Sequence, residues 1–205
     1  MCPLPSAHKQ LLIDVARRSL LQAVTNRASE EVFSESSISI VSHGAFVTLH
    51  RRGRLRGCIG QIGAPRPLIP LIAYCARAAA LEDPRFRPVE PHELPEIEIE
   101  LSILSALEAI APERIEIGKH GLMVTCGARR GLLLPQVASQ YGWNVVRFLD
   151  ETCLKAGLRP GAWRDAGARI EAFTAEVFSE SELLASSAPP AGPSARGASD
   201  YSSST

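Results

Sequence analysis

The segment from Glu96 to Ile103 constrains the fold most, because its apolar and polar residues alternate strictly. Successive side chains of a β-strand point to opposite faces, so the segment predicts a strand with one buried face and one solvated, acidic face. Such a strand is typical of an antiparallel sheet that is covered on one side. We therefore expect strand hairpins, and helices that cover the apolar face, elsewhere in the chain.

A first hairpin is predicted from a strand over 44–50 and a return strand over 55–62. Gly53 lies in the turn, where a positive φ is needed. Pairing counted outward from this turn places Cys58 opposite Val47.

The remaining strands and helices follow from periodicity and from residues that start or stop a helix. A second hairpin is predicted from 122–126 and 131–134, and a final strand over 168–178. The predicted helices are 6–27 with Ser6 as its cap, 67–82 beginning at Pro67, one opened by Pro135, and 144–156 with Asn144 as its cap and Gly157 as its stop.

Hairpins interleaved with helices predict an α+β fold with an antiparallel sheet, rather than a parallel doubly wound sheet. The length of 205 residues suggests one domain, or one domain with a small lobe. From residue 179 onward Ser, Ala, Pro and Gly dominate without an apolar period. We therefore predict a domain over 1–178 and a disordered tail over 179–205.

The charge balance and the lack of long apolar runs argue against two classes of partner. The 22 basic and 22 acidic residues cancel, so nucleic-acid binding is not favoured. Arginines at 51, 52, 54 and 56 form a local basic cluster that could contact phosphates, although a solvated hairpin turn explains the first three. No stretch approaches the ~20 consecutive apolar residues of a membrane helix.

The cysteines indicate reduced thiols. Five is an odd number and no pair has Cys-x-x-Cys spacing, so neither a disulfide framework nor a zinc site is expected. The first residues lack the pattern of a secretory signal, and the expected location is the cytoplasm. No metal or cofactor is predicted.

The run from Leu55 to Gly60 is the strongest candidate for a functional surface. Two glycines flank Cys58, which suggests close approach by a ligand or by another backbone. Arg56 would lie on the same face as Cys58, and a guanidinium favours the reactive thiolate. The alternative is that Cys58 is a small core residue. The other candidate contact residues of the motif are Leu55, Gly57, Ile59 and Gly60.

His120 is a second candidate, as a general base or as a group that orients the thiolate. The alternative is a turn histidine bonded to backbone before a strand. The pair Glu82–Asp83 is open to two interpretations as well. It could supply a carboxylate to the site, or it could end a helix and form an ion pair with Arg85 or Arg87.

Several motifs in a fixed order resemble the AMMECR family. They are Gly-Ala-Phe-Val-Thr-Leu (44–49), Leu-Arg-Gly-Cys-Ile-Gly (55–60), Asp-Pro-Arg-Phe (83–86), Glu-Leu-Pro (93–95), His-Gly-Leu (120–122), Leu-Pro-Gln-Val (134–137) and Cys-Leu-Lys-Ala-Gly-Leu (153–158) before Trp163. The resemblance covers about residues 6 to 178. It implies an antiparallel sheet with packed helices and a smaller second lobe.

The resemblance also implies a functional site and partners. In the family the six-residue motif, here Leu55 to Gly60, is taken as the functional site. Bacterial and archaeal members are the "A" component of AmmeMemoRadiSam systems and accompany a Memo-type protein and a radical SAM enzyme. The chain lacks Cys-x-x-x-Cys-x-x-Cys, so it would not hold that enzyme's iron–sulfur cluster.

Two hypotheses follow. In the first, the protein is an enzyme or covalent carrier in which Cys58 reacts, Arg56 stabilises the thiolate, and His120 assists. In the second, it is a non-catalytic adaptor whose motif surface docks those partners.

Overall fold

The computed structural model describes residues 3–26 and 40–187, without the side chains of 186 and 187. In chain order the elements are α1 (Ser6–Thr25), β1 (Val41–Arg51), β2 (Arg54–Pro67), α2 (Leu68–Leu81), β3 (Ile97–Leu104), β4 (Glu108–Ala109), β5 (Gly121–Cys126), β6 (Arg129–Leu133), α3 (Pro135–Gln140), α4 (Val145–Lys155), β7 (Ala168–Phe173), β8 (Ala175–Ser179) and α5 (Glu180–Ser187). The α+β prediction is confirmed, since these elements form two antiparallel four-stranded sheets with packed helices.

The first sheet has the strand order β2-β1-β3-β8, and α1 and α2 cover one of its faces. The alternation that predicted β3 is present in the structure, where Ile97, Ile99 and Leu101 are buried. They pack with Val47 and Leu49 of β1 and with apolar residues of both helices. Removing these side chains from water is the main force that holds helices and sheet together.

The second lobe has the strand order β4-β7-β5-β6 and a smaller core of its own. Helix α4 begins as predicted, because the Asn144 side chain accepts a hydrogen bond from the Arg147 backbone N–H at 2.9 Å. Phe148, Leu149 and Cys153 of α4 are fully buried.

The predicted strand over 168–178 is two strands, which belong to different sheets. The chain leaves β7 of the second sheet at Thr174 and enters β8 of the first. After β3 the chain crosses at Ser105 from the first sheet to the second. The Ser105 backbone N–H donates to the Thr174 carbonyl at 2.9 Å, and the Thr174 N–H donates to Ser105 Oγ at 2.9 Å. The two lobes are therefore joined through a hydrogen-bonded pair of crossing strands.

The register predicted for the first hairpin is wrong by one residue. Cys58 lies opposite Thr48, because His50 pairs with Leu55 while Leu49 already pairs with Gly57. Arg56 is the extra residue of this β-bulge, and a bulge shifts all later pairs of the hairpin.

The ends of the chain also differ from the sequence predictions. Pro5 occupies the N-cap position of α1, and Ser6 is its first helical residue. Residues 180–187, which the sequence assigned to the tail, form α5, and this helix packs on the domain through Leu183 and through an ion pair of Glu180 with Arg17. Arg27, the predicted end of α1, and residues 188–205 lie outside the described residues. No helix of the described part is long and apolar enough to cross a membrane.

Helix α2 approaches β2 so closely that Gly57 has no room for a side chain. A Cβ built at Gly57 would lie 2.2 Å from the carbonyl oxygen of Ala79, whereas one built at Gly167 would meet nothing within 4 Å. Backbone atoms cannot rotate away from such a clash, so the helix itself would have to shift.

We therefore predict that Gly57→Ala lowers the free energy of unfolding by about 1–3 kcal/mol, the usual cost of overpacking. The matched control Gly167→Ala should change it by less than about 0.5 kcal/mol. Urea unfolding of both variants measures the difference, and equal effects would contradict the packing assigned to Gly57.

Candidate functional site

Cys58 lies on β2, the edge strand of the first sheet, and is a partly exposed residue. The Thr48 hydroxyl, on the paired residue of β1, donates to Cys58 Sγ at 3.4 Å. Cys75 and Cys153 are buried, and Cys126 is partly exposed in the second lobe. Cys58 is thus neither a fully buried core residue nor a free surface thiol.

The segment after α2 bonds to the open edge of β2 at Cys58. Asp83 Oδ2 accepts the Cys58 backbone N–H at 2.8 Å, and Arg85 Nη2 donates to the Cys58 carbonyl at 3.2 Å. Edge strands leave such groups unpaired unless another segment covers them. The two side chains therefore satisfy both backbone groups of Cys58 and hold it in position.

Asp83 and Arg85 also bond to each other. The Asp83 side chain is only 2% exposed and accepts from Arg85 Nη2 at 2.7 Å. The hydrogen bond from Arg85 is the main cause that lowers the pKa of Asp83 to about 2. The pKa of Arg85 is raised, chiefly by its bond to Asp83. Arg85 is therefore a cation held at Cys58, through the hydrogen bond from its Nη2 to the Cys58 carbonyl.

Arg56, the cation assigned to the thiolate from the sequence, has other partners. Its Nε and Nη2 bond to the two carboxylate oxygens of Glu93 at 2.9 and 2.8 Å. It also donates to the carbonyls of Arg87 and Pro88 at 2.9 and 3.2 Å. Its bond to Glu93 is the main cause that lowers the pKa of that carboxyl to about 2. The described contacts of Arg56 do not include Cys58, and they fasten the 87–93 segment to β2.

The other motif residues are placed mostly by packing. A Cβ at Gly60 would lie 2.2 Å from the Phe46 ring, and Gly57 lies against α2. Neighbouring protein atoms therefore occupy the space that a side chain would need at either position. Ile59 packs against the first core. Leu55 differs, since it is 42% exposed.

An acid and a histidine lie on the same face of the sheet as Cys58. Thr48 pairs with Cys58 on one side and with Glu100 of β3 on the other, so the three side chains form one row. Burial is the main cause that raises the pKa of Glu100. His50 Nε2 lies 3.9 Å from Glu100 Oε2 and is buried without a hydrogen-bond partner among the described residues. Two titratable side chains, Glu100 and His50, thus lie next to Thr48 on the face of the sheet that carries Cys58.

His120 lies elsewhere, in the second lobe immediately before β5. Its Nδ1 accepts a hydrogen bond from the Glu116 backbone N–H at 3.1 Å. It lines a cavity of about 360 Å³ with Ser105, Arg114 and other residues, among which Cys58 is not found. The structure does not bring His120 and Cys58 into contact.

Sequence reasoning missed Thr48 and Arg85 as neighbours of the thiol. The strand over 44–50 and the Asp83–Phe86 motif were both recognised, but pairing without the bulge gave Cys58 the wrong neighbour. Only the fold shows that the Asp83–Phe86 motif reaches Cys58. Among the described residues, no group of His, Cys, Asp and Glu is arranged to hold a metal ion.

Comparisons with known proteins cover nearly all of this domain. A family model described as AMMECR1 matches residues 13–178. A Methanothermobacter thermautotrophicus protein is 39% identical over 188 residues, which cover 87% of this chain and 97% of that protein. A Thermococcus kodakarensis protein is 38% identical over 186 residues, which cover 83% of this chain and 89% of that protein. The crystal structure of an uncharacterized Pyrococcus horikoshii protein gives a TM-score of 0.75 at 38% identity, covering 83% of this chain and 90% of that one.

The bonds of Asp83 make a prediction about stability in acid. The pKa of Asp83 is about 2 in the folded protein, below the ordinary 3.8. The ionised carboxylate therefore stabilises the fold fully above about pH 4, and this stabilisation is lost as the pH falls towards 2. Asp83→Asn should lower the free energy of unfolding by about 2 kcal/mol at pH 7 and by roughly half as much at pH 3.

Urea unfolding at both pH values measures this difference, with the exposed Glu113→Gln as a control that should have little effect at either pH. A loss of equal size at pH 7 and pH 3 would show that the charge of Asp83 does not stabilise the fold.

Proposed function

Because the chain belongs to the AMMECR1 family, we propose that it is the cysteine-dependent member of a three-protein system, in which Cys58 is the reactive group. It acts as an enzyme or covalent carrier beside a Memo-type protein and a radical SAM enzyme. The arrangement around the Cys58 thiol is the observation that supports this function best.

That arrangement has the features of a reactive thiol site. The thiolate is the nucleophilic form of cysteine, and a nearby cation or hydrogen-bond donor favours it. Arg85 and the Thr48 hydroxyl supply these two groups. The backbone of Cys58 is fixed by Asp83, so the thiol is presented on a rigid strand, which is how precise sites are built.

The proposal assigns Arg85 the role that the sequence alone gave to Arg56. Arg56 stabilises the site indirectly, since it holds the 87–93 segment against β2. His120 has no part in the proposed chemistry at Cys58, because its described contacts lie in the second lobe.

Reactivity of the thiol is tested by iodoacetamide labelling, with peptide mass spectrometry to follow each cysteine. We expect Cys58 to react faster than the buried Cys75 and Cys153, and Arg85→Gln to slow it about three- to tenfold at neutral pH, because the thiolate loses its cation. Arg87→Gln, which removes an exposed guanidinium of the same segment, should leave the rate unchanged.

The direction of the change separates chemistry from simple loosening. If Arg85→Gln only exposed the strand edge, Cys58 would react faster. An unchanged or faster rate in this variant would contradict the role assigned to Arg85.

The system-level function is tested by reconstitution with the Memo-type protein and the radical SAM enzyme of the same organism, followed by mass spectrometry of the products. Cys58→Ala should abolish the joint reaction, whereas Cys126→Ala, which replaces the second partly exposed cysteine of the described residues, should retain it. Full activity of Cys58→Ala would contradict the proposal.

An adaptor without chemistry of its own is the second candidate function, and the exposure of Leu55 favours it. This apolar side chain is 42% exposed within the motif strand. Such a side chain supplies apolar contact area when a partner docks on the motif surface. In this function the motif surface binds the Memo-type protein or the radical SAM enzyme.

The adaptor function predicts that Leu55→Asp weakens co-purification of the complex, by roughly tenfold in affinity for a hot-spot residue, while Cys58→Ser retains it. Leu55 is a better probe than Arg56, because Arg56→Glu would place a second carboxylate on Glu93 and disturb the fold. A complex that survives Leu55→Asp with unchanged affinity contradicts docking at this surface.

A further inference from the structure

A cleft of about 420 Å³ lies between the two sheets, beside the strand that carries Cys58. Gln61, Ile62 and Arg66 of β2 line one side, and Met123, Arg130 and Leu132 of the β5–β6 hairpin line the other. A volume of this size lies within the range of small-molecule sites, about 300–1,000 Å³.

The orientation of the hairpin explains why these side chains face the cleft. Arg130 pairs with Thr125, and Leu132 pairs with Met123, so these residues share one face of the second sheet. Residues of the opposite face, such as Val124, are buried in the second core. The face that carries Arg130 is therefore turned away from that core.

The cleft is positively charged, since two arginines line it and no carboxylate does. Arg66 is half-buried, and its Nη1 donates a hydrogen bond to a neutral group, Gln61 Oε1, at 2.7 Å. In the described residues neither Arg66 nor Arg130 has an ion pair. By contrast, Arg51, Arg56 and Arg85 all bond to carboxylates. A partly buried guanidinium without a counter-charge is costly, and a bound anion would supply one.

The apolar part of the lining indicates more than a free ion. Ile62, Met123 and Leu132 provide hydrophobic surface next to the two guanidinium groups. Polar groups placed next to apolar surface orient an organic ligand in a binding site. Glu171, the acid opposite Met123 on β7, does not line the cleft.

We propose that this cleft binds a small phosphorylated molecule, whose phosphate accepts hydrogen bonds from Arg66 and Arg130 and whose apolar part lies on Ile62, Met123 and Leu132. Phosphate suits two arginines from opposite walls, because it carries up to about two charges and several acceptor oxygens. The site is separate from the Cys58 thiol and goes beyond the function proposed above.

Inorganic phosphate is the probe that tests the site, titrated into the ¹⁵N-labelled full chain at constant ionic strength set with chloride. We expect saturable shifts of the amide signals of Gly60, Arg66, Arg130 and Gly131. Arg66→Gln and Arg130→Gln should each weaken phosphate binding about tenfold, the effect of losing one charged hydrogen bond. Arg54→Gln, at the exposed far end of β2, should leave it unchanged.

A further variant neutralises the positive charge of Arg66 and keeps the arginine side chain. Gln61→Glu keeps the shape of the side chain and gives Arg66 a carboxylate partner, so it should weaken phosphate binding about tenfold without lowering the unfolding temperature. The proposal is overturned if phosphate causes no saturable shifts, if Arg54→Gln weakens binding as much as Arg66→Gln, or if folded Gln61→Glu binds phosphate as well as the wild type does. None of these outcomes depends on Cys58 reactivity, so they are distinct from failure of the proposed function.

Discussion

The hydrogen bonds between Asp83 and the edge of β2 are the interaction on which the candidate site depends. An edge strand exposes backbone groups that must be satisfied, and here a carboxylate and a guanidinium from the segment after α2 satisfy those of Cys58. Two residues earlier, the Arg56 side chain donates to Glu93 and to the Arg87 and Pro88 carbonyls. The segment over 83–93 thus takes the place of a further strand and brings Arg85 into contact with the backbone of Cys58.

The two lobes give this strand a second environment at its other end. Because the chain crosses between the sheets at Ser105 and Thr174, the β5–β6 hairpin lies next to the end of β2. One strand therefore carries a thiol held by the first lobe and forms one wall of a positively charged cleft between the lobes. The proposed thiol site and the proposed phosphate site both depend on the segments that pack against β2, and not on its sequence motif alone.

Local sequence signals predicted the elements well, because each depends on neighbours in the chain. Alternation in Glu96–Ile103 predicted β3, a glycine turn predicted the first hairpin, and Asn144 predicted the start of α4. The signals failed where a distant contact decides the backbone. The bulge at Arg56 forms where Glu93 and two carbonyls bind its guanidinium, and the break at Thr174 forms where the chain changes sheets.

By itself the sequence determined the α+β class, the hairpins, the starts of α3 and α4 and the place of the Leu55–Gly60 motif on a strand, since periodicity and turn chemistry act over a few residues. The tertiary structure decided which side chains surround the thiol. It placed Arg85 rather than Arg56 beside Cys58, filled the space at Gly57 and Gly60 with Ala79 and Phe46, and kept His120 in the other lobe. A charged side chain bonds to whichever partner the fold brings within reach, and strand periodicity carries no information about partners that lie far away in the chain.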